Sequence, residues 1–202
     1  MGLGLKAVKF WQIKPEIRIL GVDDGPLEGP EVPLVGAVFR GGRWLEGVLK
    51  TAITRDGTDV TGKLIEMVGK SRHMGQLRVL MVDGITFGGF NVLDVKEVFR
   101  RLKLPVIVVS RDMPDMADIL KAIKHLPDWR KRWLKIKGAG RIHQVEIKRR
   151  GGPIYIQTAG LELEDAERIV RLSSTRSLVP EPIRAAHMIA TAIVKGESYG
   201  RV

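Results

Sequence analysis

Four apolar residues in a row, Val79 to Val82, end on Asp83 and then on a glycine-rich turn, Gly84 to Asn91. A continuous apolar run of this length reads as a strand of a parallel sheet covered on both faces. Ile17 to Val22 repeats the pattern and runs into two acids, Asp23 and Asp24. Leu104 to Val109 gives a third such strand, beginning at Pro105. In chain order, residues 1–15 are a lead-in and residues 16–22 the first strand. A Pro/Gly loop follows, then a strand from Pro33 to Arg40, a turn at Gly41-Gly42 and a strand from Trp44 to Ile53. Thr58, Asp59 or Thr61 caps a helix whose apolar positions are Val60, Leu64, Met67 and Val68. The 77–83 strand comes next, then a helix through Val95, Val98, Phe99 and Leu102, capped by Asn91 or Asp94. The 104–109 strand precedes a helix starting at Pro114. Beyond His125, two strands (Arg141 to Ile147, Pro153 to Thr158), a helix from Glu162 to Leu172 and a last helix opened by Pro180-Glu181-Pro182 complete the chain. Residues 196–202 read as a frayed tail.

Three meandering strands followed by strands with helical crossovers describe an α/β chain with a mixed central sheet flanked by helices. The order is similar to that of the ribonuclease-H-like fold, here with a C-terminal strand-helix extension. The expectation is a single domain over 1–202. By that likeness the first strand lies beside the 77–83 strand, in parallel, and Asp23 meets Asp83.

Charge sharpens the picture. The 202 residues carry 34 Lys and Arg against 23 Asp and Glu, a net charge of +11. Such an excess favours a polyanion, nucleic acid (DNA or RNA) before an anionic membrane. No run approaches the roughly 20 apolar residues of a membrane span, and no signal peptide is legible. The absence of cysteine excludes disulfides and thiolate metal sites. A cytoplasmic protein without a membrane partner is expected; oligomeric state is not legible.

Two carboxylates at adjacent strand ends suit a hard cation. Mg²⁺ binds one or two carboxylates plus waters and substrate phosphates. Asp23 and Asp83 are therefore the expected ligands of Mg²⁺ or Mn²⁺, with Asp24, Asp56, Asp59 and Asp94 as further acids nearby. Against this, Asp before Gly is common in turns. His187, on the apolar side of the last helix, is either a ligand, a proton shuttle or a buried, satisfied histidine. Trp129 and Trp133 share a helix face among Arg130, Arg132, Lys135 and Lys137. Stacking aromatics with phosphate-tracking cations hold single strands; core packing is the favoured reading for the tryptophans, and phosphate contact the favoured reading for the charges. Lys148, Arg149 and Arg150 extend the basic surface. Three glycines between Gly84 and Gly89 lack dinucleotide-fingerprint spacing and let backbone approach something closely.

Val22-Asp23-Asp24-Gly25, the stretch Asp83 to Asn91 and Leu104 to Val109 together resemble the mainly archaeal domain of unknown function 99 family, over nearly the whole chain. That family looks like a distant relative of endonuclease V, the metal-dependent nuclease acting near deaminated purines. Pro153-Ile154-Tyr155-Ile156, Gly160, Leu163 to Ala166 and Pro180 to Arg184 are similar to the end of endonuclease V. The resemblance implies that Asp23 and Asp83 match the nuclease's aspartates. It also implies departures. Gly41 stands after Arg40 where the nuclease has a metal-binding glutamate, Leu161 stands for a histidine, and Glu31 for the tyrosine of its strand-separating wedge. Asp24 and His187 are the expected substitutes, giving Asp23, Asp83, Asp24 and His187 as candidate catalytic residues. Arg40, Arg130, Arg132, Lys135, Lys137 and Lys148 to Arg150 are the candidate nucleic-acid contacts. The implied function is metal-dependent nucleic-acid processing, an endonuclease V-like phosphodiester hydrolase with an altered site. The alternative is a non-catalytic nucleic-acid-binding protein on the same scaffold. A small-molecule hydrolase using the same acids is a third reading, supported only by the glycine-rich turn.

Overall fold

The computed structural model describes residues 7–147 and 152–199. Strands β1 (Arg18–Asp24), β2 (Glu31–Arg40) and β3 (Trp44–Thr54) form an antiparallel meander. Helix α1 (Val60–Gly69) leads to β4 (Val79–Asp83), which lies parallel to β1. A small hairpin, β5 (Thr86–Phe87) and β6 (Asn91–Val92), occupies the glycine-rich turn. Then come α2 (Val95–Leu102), β7 (Val106–Ser110), α3 (Met116–Ile123) and α4 (Trp129–Gly138). Strands β8 (His143–Ile147) and β9 (Gly152–Ala159) form a hairpin, followed by α5 (Leu163–Ser173) and α6 (Glu181–Lys195). Seven strands make one mixed sheet in the order β3-β2-β1-β4-β7-β9-β8.

The parallel pairs β1–β4 and β4–β7 sit in the middle of this sheet, and both faces are covered, as continuous apolar runs require. Leu20, Val22, Leu80, Val82, Val106 and Val108 pack on one face against Val60, Leu64 and Val98 of α1 and α2. Ile19, Val79, Met81, Ile107 and Val109 pack on the other against Ala166, Ile169 and Val170 of α5 and Ile183 of α6. Asp23 and Asp83 continue the second set by the period of two. The sequence expectation of one buried central pair is therefore met.

Several boundaries differ. The first strand runs to Asp24 rather than ending at Val22, so both acids belong to the strand and take opposite faces. Helix α3 starts one residue after Asp115, whose side chain accepts from the amides of Ala117 and Asp118; Pro114 only precedes the cap. Asp94, not Asn91, caps α2 by accepting from Glu97. Buried Asn91 instead accepts from the amide of Val60 at the start of α1, a service that neither Thr58, Asp59 nor Thr61 performs.

Candidate functional site

The site forms where α6 crosses β1. Gly21 sits directly beneath the start of α6: a Cβ there would lie 2.1 Å from the carbonyl carbon of Pro182. Gly25 repeats the contact higher up, where a Cβ would lie 3.0 Å from the carbonyl oxygen of Ala190. Between them on the same face of β1 stands Asp23, 4% exposed. Pro182 and Ala190 bracket His187 on the helix, so two glycine contacts fix the meeting of His187 with Asp23. Nδ1 of His187 lies 2.7 Å from Oδ2 of Asp23.

Asp83 follows Val82, which pairs with Val22, so Asp83 stands beside Asp23 on the neighbouring parallel strand. Strand spacing alone brings the two backbones to about 4.8 Å. Asp24 points to the opposite face, where its Oδ2 accepts from the amide of Gly88 at 2.7 Å. Its own amide donates to Oδ1 of Asp23 at 2.8 Å. The glycine-rich turn does bring backbone close to a partner, and the partner is Asp24.

Burial dominates the electrostatics. It pushes Asp23 up to about 7; the hydrogen bond from His187 opposes that rise, and repulsion from Asp83 and Asp24 adds to it. Asp24 and Asp83 are raised as well, chiefly by burial. His187 is raised by its hydrogen bond to Asp23. Asp23 thus keeps part of its proton near pH 7, where an isolated carboxylate would have lost it. Arg111, just beyond β7, lowers Asp83 through its charge. Sequence reasoning missed Arg111, although a basic residue one step past the strand beside Asp83 was a usable signal.

Among the described residues, no three His, Cys, Asp or Glu side chains converge as a ready-made metal cage. Mg²⁺ and Mn²⁺ ask for less, since water and substrate phosphate complete a shell begun by one or two carboxylates. Asp23 and Asp83 fit that demand. They are hard oxygen donors at the ends of neighbouring strands, and a divalent cation bound there would offset the burial, and with it the mutual repulsion, that raises Asp23.

The remaining expected residues fall into three groups. Arg130 and Lys137 are exposed on α4, resting over the rings of Trp129 and Trp133 respectively. Both tryptophans are half-buried against Val92, Ile123 and Ile136, so core packing, the favoured reading, is what they do. Half-buried Lys135 points its Nζ toward the carbonyl of Val92 at 3.4 Å. Lys148, Arg149 and Arg150 lie outside the described residues. Two expectations need correction. Arg132 is buried, with a side chain 7% exposed, and four of its five N–H donors are spent on Asp128 and three backbone carbonyls, so it does not present its fork to a phosphate. Arg40 pairs across β1 with Arg18, whereas Asp23 pairs with Val35, so Arg40 stands five residues along β2, roughly 17 Å from the acids. It is bound there to Glu46.

The same geometry revises the significance of Gly41. Its amide donates to the carbonyl of Ile17, at the end of the sheet away from Asp23. A glutamate there would not reach the acid cluster, so Gly41 removes no ligand from it. Leu161 is core, and Glu31 is exposed at the start of β2, on the site's side of the sheet. Asp56, Asp59 and Asp94 each accept hydrogen bonds from backbone amides and serve the loops and caps instead.

Comparison with known proteins agrees with this architecture. The sequence model of a family described as "Endonuclease dU" matches residues 15–194. A "UPF0215 protein" of the archaeon Methanothermobacter thermautotrophicus is 57% identical over 195 residues, 95% of this chain and 94% of that one. A crystal structure of a protein of unknown function from Archaeoglobus fulgidus is 42% identical, with a TM-score of 0.82 over 89% of this chain and 99% of that one. Human ENDOV superposes with a TM-score of 0.59 at 19% identity, covering 90% of this chain and 87% of its own. Endonuclease V of Ciona intestinalis, solved with a 24mer DNA containing inosine, gives 0.55 at 16% identity over 84% of this chain and 82% of that one. At such identities the last two show the fold, which is ribonuclease-H-like, as the strand order implied. No helix among the described residues is long and apolar enough to cross a membrane.

Proposed function

We propose that this chain, which belongs to the endonuclease dU family, is a divalent-metal-dependent hydrolase of phosphodiester bonds in nucleic acid, acting through Asp23, Asp83 and His187. The observation that supports the proposal is the contact of His187 with Asp23, one parallel strand away from Asp83, where α6 crosses the carboxyl ends of two central strands. Ligand and catalytic groups of open α/β sheets gather at such ends. Asp23 and Asp83 would hold Mg²⁺ or Mn²⁺, which when bound neutralises phosphate charge and stabilises the oxygens of an in-line displacement.

His187 is oriented by Asp23 through Nδ1, which leaves the other edge of a part-exposed ring to take or give a proton. The hydrogen bond to Asp23 raises the affinity of His187 for its proton, which favours the ring as a proton donor. Asp24 is held by Gly88 and adds negative charge beside Asp23. The positive charge of Arg111, felt at Asp83, would favour a phosphate oxygen there. Arg130 and Lys137 on α4 supply sequence-independent attraction for the backbone. The family's description directs the choice of substrate to deoxyuridine in DNA, and the inosine-containing DNA bound by the Ciona protein supplies the comparison substrate.

The test is strand cleavage of DNA bearing one deoxyuridine, one inosine or neither, with Mn²⁺, Mg²⁺ or chelator. Metal-dependent cleavage of a modified strand that disappears in Asp83→Asn supports the proposal. Nucleic-acid binding without cleavage under every condition would leave a binding protein on a nuclease scaffold.

A further inference from the structure

Arg132 carries a consequence beyond its absence from the phosphate-binding surface. A guanidinium this buried is costly unless its donors are paired. Here Nε donates to Asp128 Oδ1 at 2.7 Å, Nη2 to the carbonyl of Asp56 at 2.9 Å, and Nη1 to the carbonyls of Gly57 (2.8 Å) and Phe90. One side chain of α4 thus ties together the turn after β3 and the β5–β6 turn. Those turns are also tied to each other. Asp56 donates its amide to the carbonyl of Gly88 at 2.8 Å and accepts from the amide of Phe90 at 2.8 Å. Gly89, with φ +86°, lies so close that a Cβ on it would stand 2.4 Å from Oδ1 of Asp56. The last link is the amide of Gly88 donating to Asp24, whose own amide donates to Asp23.

We propose that Arg132 is a positioning residue: it fixes the glycine-rich turn so that the Gly88 amide holds Asp24 in the acid cluster. The role rests on the reading of that cluster as the working site. The fork of arginine suits the job, because its separate nitrogens reach three carbonyls and a carboxylate at once. A lysine at 132 keeps the charge, but its three donors sit on a single nitrogen and cannot span the four acceptors that the fork reaches. The same strut places α4, with Arg130 and Lys137 on its outer side, at a fixed distance from the acids, so a bound backbone and the reacting centre stay in register.

The experiment is amide hydrogen exchange by NMR on the full chain, comparing wild type with Arg132→Lys and the milder Asp128→Asn. Exchange at Gly88 and Phe90 is expected to rise at least tenfold in Arg132→Lys and by less in Asp128→Asn. Leu80 and Val82 in the central strand should keep their protection. That contrast separates loosening of the turn from global destabilisation. In strand cleavage, Arg132→Lys should lower kcat while KM and its salt dependence stay as in wild type. Unchanged exchange at Gly88 and Phe90, or a faster rate spread equally into β4, would overturn the proposal. So would a reduced salt dependence, which marks a phosphate contact. The exchange measurement needs neither metal nor substrate, so failure of the hydrolase reading shows in the wild-type cleavage assay and failure of the strut shows here.

Discussion

Replacing Asp23 by asparagine is expected to make the protein more stable at mildly alkaline pH and to flatten its pH dependence. Burial raises the Asp23 carboxyl from 3.8 to about 7. The folded chain therefore holds a proton that the unfolded chain has released between about pH 4 and 7, and stability falls as pH rises through that window. A displacement of this size corresponds to about 4 kcal/mol once the group is fully ionised. Asp24 and Asp83 are shifted the same way and add to the slope. His187, also raised, contributes stability that is complete below its unfolded value and is lost as pH rises through its folded one. Asp59 is lowered, so its contribution is lost only on acidification below about pH 4 and does not interfere. The assay is urea denaturation of wild type and Asp23→Asn at intervals from pH 5 to 8.5. With the two curves matched near pH 5, the variant should move ahead by up to about 3 kcal/mol at the alkaline end, the share of the shift that lies above pH 5. For a chain of this size each kcal/mol moves Tm by about 2–4 °C, so thermal scans would show it too. Parallel curves for the two proteins across the whole range would refute the argument that burial of Asp23 governs the site.

Other consequences are open to the same scrutiny. Gly21→Ala places a methyl 2.1 Å from the Pro182 carbonyl carbon, so it should cost about 3 kcal/mol or more in denaturation and displace His187 from Asp23; a loss under 1 kcal/mol would show that α6 is free to shift. Gly41→Glu, the family-like substitution, should bring no gain in Mn²⁺ affinity. It should only destabilise, because Gly41 has φ +57° and a Cβ would meet the Pro15 carbonyl oxygen at 2.2 Å; tighter metal binding would overturn the placement of Gly41 away from the site. Arg130→Ala and Lys137→Ala should each weaken DNA binding and reduce its salt slope by about one, while Arg40→Ala leaves both unchanged. Equal losses from all three variants would show that the binding surface wraps around the sheet.

The central pairing was legible because continuous apolar runs have few homes. Val79 to Val82 and Ile19 to Val22 read as strands buried on both faces, and the likeness to the ribonuclease-H-like strand order supplied their adjacency. His187 was a candidate by pattern alone; its partner was fixed by Gly21 and Gly25, whose meaning as helix seats needs the helix in place. The basic residues were harder. Charge shows that a side chain prefers water or a polyanion, but Arg132 is buried because three carbonyls lie within reach of its fork, and no local pattern encodes carbonyls contributed by loops more than 40 positions away. Arg40 was misplaced for a related reason. A strand's residue types do not reveal which of its ends faces the site, and the antiparallel register of β2 on β1 sends Arg40 to the far one. Asp56, Asp59 and Asp94 show how acids near turns are taken up by backbone amides before any metal competes for them.

The most direct measurement is titration calorimetry of Mn²⁺ into the wild-type chain and into Asp83→Asn near pH 7, where Asp23 still holds part of its proton. The account predicts saturable binding to wild type with release of protons, loss of that binding in the variant, and about 2.7 kcal/mol of added stability at a hundredfold excess over Kd. Absence of a binding isotherm in wild type, or equal binding by both proteins, would contradict it.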